Sequence, residues 1–364
     1  MSRLLKSNQM KYRQAKGVAL VTALLVVSLA TIMAVSLMSR QYIDVRRTGN
    51  IILADQAYLY SLAMENFAGQ LLAFYRSQGG SEFDNRDDFE AAMLQFSAFP
   101  VDGGSVSVSV SYPESMFNVN TLIDKNGNPV DRQVERYRKL LVSVMADLGV
   151  VDAQVDDLVN SMLDWLDPNE DTRVGGAEDG EYESKDVPYK TANRMMSSIS
   201  EIRLVDGYSN EFLNGTPGDE DNEPVQGLLS YIIAIPDQNS RLNVNLVTEA
   251  RHIEGLSIHI DSDMAEDLLV SDEPYEKEVD FTTSDVFDDV SDTKPNPQDP
   301  NSKSDKDKLN DDLANMTSVQ SDYFLLKGVA TVGQTRIDLN SLIYVSKNGE
   351  KLSVISRAIG TAGI

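Results

Sequence analysis

The sequence predicts an α+β protein: one very long N-terminal helix, a helical block in mid-chain, and an antiparallel sheet completed by the last third. Three observations carry this. Residues 18–38 are uncharged and mostly apolar, a span of about 20 residues that suits one helix. Residues 105–112 alternate serine and valine, the period-2 pattern of a half-buried strand with its valines inward. Residues 323–332, 334–343 and 351–358 are β-like, and Asn348-Gly349 supplies a hairpin signal between the last two.

The apolar run is long enough to cross a bilayer. Arg3, Lys6, Lys11, Arg13 and Lys16 precede it with no acidic residue among them. By the positive-inside rule, residues 1–17 stay in the cytoplasm and the rest crosses. The helical pattern continues past the membrane, because no proline interrupts residues 41–76. Ile43, Ile51, Ile52, Leu59, Leu62, Ala63, Phe67, Leu71, Leu72 and Phe74 recur at spacings of three, four and seven, which predicts an amphipathic helix with one face to pack. Residues 18–76 then form a rod of roughly 85–90 Å at 1.5 Å per residue, with Gly49 as the expected bend.

Gly79-Gly80 stops the helix, and residues 85–96 carry a short helical pattern. Residues 124–129 read as a turn. Helices are predicted over 131–148, ended by Gly149, and from an Asp152 cap to Leu166. One or two short helices follow in 190–206, with Ser200 as a cap. Residues 117–232 thus form an α-rich block. Residues 228–235 are apolar and predict a strand. Asn243-Val244-Asn245 echoes Asn118-Val119-Asn120, too little for a repeat; these asparagines read as turn or cap residues. A short helix is expected at 263–270. Residues 282–312 are rich in Asp, Ser, Lys, Asn and Pro, which predicts a mobile acidic loop.

The chain has 364 residues, 41% of them hydrophobic, enough for one large or two modest domains beyond the helix. Its net charge is −25, and about −30 without the basic leader. That excludes a nucleic-acid binder working through phosphates and suits a head with cation sites. No cysteine is present, so disulfides and thiol chemistry are excluded, although this identifies no compartment. With only His252 and His259 besides, transition-metal sites are not expected. The sequence carries no nucleophile elbow, phosphate loop or His-Glu zinc motif.

A basic leader ending in Lys16-Gly17, followed directly by the apolar helix, resembles a type IV pilin-like precursor. The resemblance implies cleavage by a prepilin peptidase between Gly17 and Val18 and methylation of the new N-terminus. A secretory signal is instead cut after its apolar run. The pilin pattern has glutamate at the fifth mature position, thought to neutralise a neighbour's N-terminal amine; here that position is Thr22. A subunit lacking this carboxylate is a poor repeating unit but can sit at a filament's end. Thr22, Leu25 and Leu29 are assigned to the anchor and assembly surface. Further motifs occur in order: Asp164-Trp165-Leu166-Asp167, then Gly176-Ala177-Glu178-Asp179 with Tyr182, a Ser-x-x-Glu pattern from Ser198 to Gly207, the second Asn-Val-Asn, and Ser321-x-Tyr323-Phe324. Together they resemble the K-type minor pseudopilins of type II secretion.

That resemblance implies a pilin-like antiparallel sheet formed by 79–116 and 233–364, with a large helical domain, 117–232, inserted between them. Residues 18–38 would anchor it in the inner membrane and 39–78 would continue the helix below a periplasmic head. It implies a non-enzymatic role, capping the pseudopilus tip and helping to start its assembly for protein export. The partners are the I- and J-type minor pseudopilins, the peptidase and exported proteins, with no nucleic acid. The alternative from another class is a membrane-anchored periplasmic hydrolase or receptor with a metal-binding head.

Asp167, Asn169 and Asp171 stand at positions 1, 3 and 5 of an EF-hand-like spacing, with Glu178 at 12. Position six is Thr172 rather than glycine, so the usual sharp turn is lacking. The resemblance implies structural Ca2+ in this region, with Asp164, Glu170 and Asp179 as further ligand candidates; the competing reading is a solvated acidic loop. Residues 218–223 read as a second, solvated acidic turn. Trp165 is expected in the core.

Overall fold

The computed structural model describes residues 2–77, 84–87, 90–91, 98–149, 154–218, 223–269, 273–290 and 303–360, and side chains from residue 18 onward. Helix α1 spans Ser2–Ser77, unbroken through Gly49. It lies against a five-stranded antiparallel sheet in the order β1-β2-β9-β10-β11, the last three being Tyr323–Val332, Thr335–Val345 and Leu352–Ile359. The first two strands, β1 (Phe99–Val101) and β2 (Gly104–Ser111), precede all other strands in the chain. The expected alternation holds in β2, where Val106 and Val108 are buried against α1 and the serines between them face away.

The face α1 buries differs from the one its hydropathy suggests. Ala57, Ser61, Glu65, Ala68, Leu72 and Arg76, at spacings of three and four, are the buried stripe. Ile43, Ile51, Ile52, Leu59, Phe67 and Phe74 are between 41% and 63% exposed instead. The reason is the sheet, which supplies the bulk through Val106, Val108, Leu326, Val332 and Ile343. Small helix residues let the backbones approach. A Cβ on Gly69 would stand 3.2 Å from Leu352 Cδ2. Two charges are seated in this interface. Arg357 donates to both carboxylate oxygens of Glu65 at 2.8 Å, and Ser341 donates to the same group.

Between β2 and the C-terminal strands the chain makes two excursions in succession before it rejoins the sheet. The first excursion enters at β3 (Phe117–Asn118). It continues through α2 (Asp131–Asp147), α3 (Val155–Leu166), α4 (Asp179–Glu183), a 3-10 turn at Ile199–Leu204 and α5 (Asn210–Asn214). A small hairpin, β4 (Gly215–Thr216) with β5 (Val225–Gln226), precedes the exit strand β6 (Ile232–Ile233). One core runs from Phe117 to Ala234, so the α-rich block is a unit. In place of a strand over 228–235 there is a 3-10 turn, Leu228–Ser230, and the two residues of β6. The backbone there is taken by asparagine side chains rather than by a ladder. The 3-10 turn at Ile199 is capped by Ser198, not Ser200, with Glu201 closing the box. Helix α3 has Gln154 at its N-cap; the Asp152 cap lies outside the described residues, as do 219–222 and most of 85–96.

The second excursion corrects the expectation of sheet and loop after residue 233. It enters at β7 (Leu242–Asn243), runs through α6 (Ala250–Glu254), α7 (Ser262–Leu269), α8 (Glu278–Thr282) and α9 (Asp305–Met316), and leaves at β8 (Thr317–Ser318). Its core holds Ile253, Leu256, Leu268, Phe281, Phe287, Leu309 and Leu313. The stretch read as a mobile loop therefore contributes Phe287, Val290, Leu309 and α9 itself to a packed unit; 291–302 lie outside the described residues.

The two inserts have the same doorway. In each, an entering strand pairs in parallel with the exit strand, β3 with β6 and β7 with β8. Each entry ends in an Asn-Val-Asn. Asn118 Oδ1 accepts from Ile235 N at 3.0 Å, and its Nδ2 donates to Asp237 O at 2.8 Å. Asn243 Nδ2 donates to Ser321 Oγ at 2.8 Å and to Asp84 at 2.9 Å. The second asparagine clasps a backbone inside its own insert: Asn120 holds Met196, and Asn245 holds Tyr275, each by N–H and C=O together.

The chain closes with β9 (Tyr323–Val332), β10 (Thr335–Val345) and β11 (Leu352–Ile359). The β10–β11 connection is six residues rather than two, tied by Gly349 N to Ser346 O and Ser346 N to Lys351 O. Gly349 has φ +72, and its added Cβ would meet Ala73 O at 2.2 Å, so the loop rests on α1.

Glu114 sits buried where the first insert meets β9, accepting from the backbone N–H of Asp322 at 2.6 Å and of Tyr323 at 3.2 Å. Burial, opposed by these two bonds and reinforced by Asp322 and Asp84, pushes its carboxyl up to about 8. The folded protein then holds a proton that the unfolded chain releases near the ordinary glutamate value. Stability from this group is present at low pH and is lost as pH rises toward 8. Urea unfolding of wild type and Glu114→Gln between pH 5 and 8.5 checks this: the wild type weakens with rising pH and the variant shows a flatter profile.

Candidate assembly helix and acidic cluster

Two regions bear on function. The first is the upper length of α1. Residues 18–48 are exposed throughout, and this helix is long and apolar enough to cross a membrane. Leu25 and Leu29 are 63% and 49% exposed. Thr22 Oγ1 donates to Ala19 O at 3.0 Å, so its hydroxyl is satisfied by its own helix. Gly17 and Val18 lie inside the continuous helix. Lower down, exposed Leu59, Ala63, Phe67 and Phe74 form a second apolar face, directed away from the sheet.

The second region is the turn after α3. The helix amphipathicity that buries Leu158, Met162 and Trp165 also carries Asp164 inward, and Asp167 is its C-cap. Both carboxylates are fully buried. Arg173 lies between them, donating from Nη1 to Asp164 Oδ1 at 2.5 Å and to Asp167; its backbone N–H reaches Asp164 at 3.1 Å. Glu178 is 3% exposed, with its carboxylate against the backbone at Glu181 and the Thr191 hydroxyl. Burial first, opposed by Thr191 and reinforced by Asp164, Asp167 and Asp179, pushes its carboxyl up to about 7. Trp165 packs edge-on to Tyr182 at 5.4 Å, as a core residue beneath this turn.

Of the seven candidate ligands, Asp164, Asp167 and Glu178 are buried, and Glu170 is exposed. Asn169 and Asp171 are exposed: Asn169 bonds back to Asp167, and Asp171 N bonds to Asn169. Asp179 faces Lys190 at 2.5 Å. Among the described residues, no three acidic or histidine side chains are grouped closely enough to hold a metal ion as they stand. The sequence reading missed Arg173, whose signal was one arginine inside an acidic loop. Buried carboxylates are costly unless a positive charge meets them, and here Arg173 meets Asp164 and Asp167.

Comparison with known proteins bears on both regions. The family profile described as "Type II secretion system (T2SS), protein K" matches residues 115–215, the body of the first insert. The Pseudomonas aeruginosa PAO1 type II secretion system protein K is 28% identical over 359 residues, covering 97% of this chain and 95% of the relative. The proteins of the same name from Pectobacterium carotovorum subsp. carotovorum and Aeromonas hydrophila are 27% and 28% identical, over 96% of this chain and 98% of each relative. Over nearly its whole length the chain is thus similar to type II secretion system protein K. A chain in the crystal structure of the GspK-GspI-GspJ complex from enterotoxigenic Escherichia coli shares its fold, with a TM-score of 0.67 and 21% identity over 87% of this chain and 100% of that one.

The fold of this chain therefore places a buried Arg–carboxylate cluster in its first insert. Removing the cation from such a cluster leaves charges buried without a partner. Arg173→Ala is expected to cost about 3 kcal/mol in urea unfolding with chelator present. A loss below a few tenths would show that Asp164 and Asp167 do not depend on it.

Proposed function

We propose that this protein is a minor pseudopilin that caps the pseudopilus tip of a type II secretion system and helps start its assembly. The observation that carries the reading is the division of α1. Its C-terminal part is seated on the sheet by small residues, its N-terminal part is exposed and apolar from 18 to 38, and two helical inserts enlarge the head. A slim helix under a broad head disfavours stacking of like subunits above it, and a filament's end is where that shape fits. Thr22, spent on its own helix, offers no carboxylate to a neighbour's amine. The role is assembly rather than catalysis.

In this reading a prepilin peptidase cuts between Gly17 and Val18, the new N-terminus is methylated, residues 18–38 stay in the inner membrane and the head is periplasmic. The partners are the I- and J-type minor pseudopilins, whose helices would run beside the exposed face of α1. Leu25 and Leu29 belong to that face. Co-expression of the full chain with its I- and J-type proteins is expected to yield a ternary complex whose protein K component begins at N-methylated Val18. An intact Met1, or a chain that stays alone, contradicts the reading.

Structural Ca2+ belongs to the same proposal. Asp164, Asp167 and Glu178 are the residues that would hold it, with Arg173 displaced and Asn169, Asp171 and Asp179 as outer candidates. The ion would neutralise the buried carboxylates and bind only the folded turn, raising stability by mass action. Chelator-stripped protein is expected to melt higher when calcium is added, and Glu178→Gln to lose most of that rise. An unchanged wild-type melting temperature would remove calcium from the account.

A further inference from the structure

Resting on the assembly reading, we propose that the outer edge of β11 receives an extended strand from a neighbouring subunit, which joins the sheet as its sixth strand. The sheet order leaves β11 at one margin, while the other margin is β1, only three residues long. Edge strands are ordinarily blunted by short length, proline, outward charges or a bulge. β11 has only the last, at Ile355, beyond which Ser356–Ile359 pair in regular register. It is eight residues long, Leu-Ser-Val-Ile-Ser-Arg-Ala-Ile, without proline, lysine or acid. Its one charge, Arg357, is turned onto Glu65 of α1.

The strand instead presents apolar side chains. Val354, Ile355 and Ile359 are 36%, 42% and 58% exposed. The register shifts where Leu342 pairs with Ser356 and Ile343 with Val354, which makes Ile355 the extra, bulged residue. Beside it lies a cavity of about 370 Å3, lined by Arg194, Met195, Pro236, Leu342, Ile355 and Ser356. An added strand pairs its backbone with the open edge and turns alternate side chains to one face, where this cavity takes one of them. A docked helix would leave the edge N–H and C=O groups unmet, so the geometry calls for extended chain. The apolar, nearly uncharged strand selects an apolar partner segment rather than a charged tail.

The edge also borders the assembly helix. Gly69 packs on Leu352, and Glu65 binds Arg357, so β11 lies along the seated side of α1 at this margin of the sheet. A subunit whose helix lies along α1 would bring its own sheet margin to this place.

The test uses the full chain in detergent, alone and co-purified with its I- and J-type proteins. Deuterium uptake at residues 353–359 is expected to slow in the complex. Ile355→Lys and Ile359→Lys, both at exposed positions, are expected to weaken assembly about tenfold or more while the isolated variants melt as wild type. A complex that forms with unchanged β11 exchange and tolerates both lysines overturns the edge proposal alone. No complex at all overturns the functional reading and this proposal with it. Slower β11 exchange in the isolated chain as its concentration rises overturns the partner and assigns the edge to a second copy.

Discussion

The structure depends on how closely α1 approaches its sheet. The contact is made by Ala57, Ser61, Ala68 and Gly69 on the helix, and by valine, leucine and isoleucine on the strands. Dispersion and burial act only at short range, so a face of small residues gains by admitting the partner's bulk. The same choice frees the helix's larger side chains for contacts beyond the molecule. Glu65 and Arg357 fix the register of the seat, since a helix moved by one turn would leave Glu65 buried and unpaired. One interface thus both builds the head and defines the surface offered to other subunits.

Above that seat the two inserts share one solution to one problem. A chain leaving a sheet for more than 70 residues must return close to its exit. In each insert a two-residue parallel pair and an Asn-Val-Asn close the neck, with amide side chains meeting backbone groups that no ladder satisfies. A buried network joins the second neck to α1: Arg76 pairs with Asp84 at 2.8 Å, and Asp84 accepts from Asn243 and Ser321. The inserts touch through α2 and α6, where Arg251 reaches Asp147 at 2.9 Å and Lys139 reaches Ser257 O at 3.1 Å. Head and helix are mechanically connected by charged groups at defined points, not by apolar packing alone.

Where the sequence pattern repeats, the fold was legible: the apolar run, the valines of β2, the helix over 131–147, and the three final strands. The buried face of α1 was not, because alanine, serine and glycine give no hydropathy signal while exposed isoleucine and phenylalanine do. The second insert was hidden because Phe287, Leu309 and Leu313 are diluted among aspartates, and burial there is decided by contacts far along the chain. Asn118 and Asn243 could be singled out as turn residues, but that they close two equivalent necks needed coordinates. Of the acidic motif, Asp167 and Glu178 are buried, while Asn169 and Asp171 turn outward. The helical phase of α3, not the loop spacing, brings in Asp164.

The central claim is that α1 is seated by its small residues and free on its large ones. The chain has no cysteine, so single thiols report cleanly. Ser61→Cys lies in the buried stripe and Ala63→Cys on the exposed face, two residues apart. Thiol labelling of the folded full chain should be slow at the first and fast at the second, the difference vanishing in denaturant. Equal rates in the folded protein, or faster labelling at Ser61→Cys, would contradict the account.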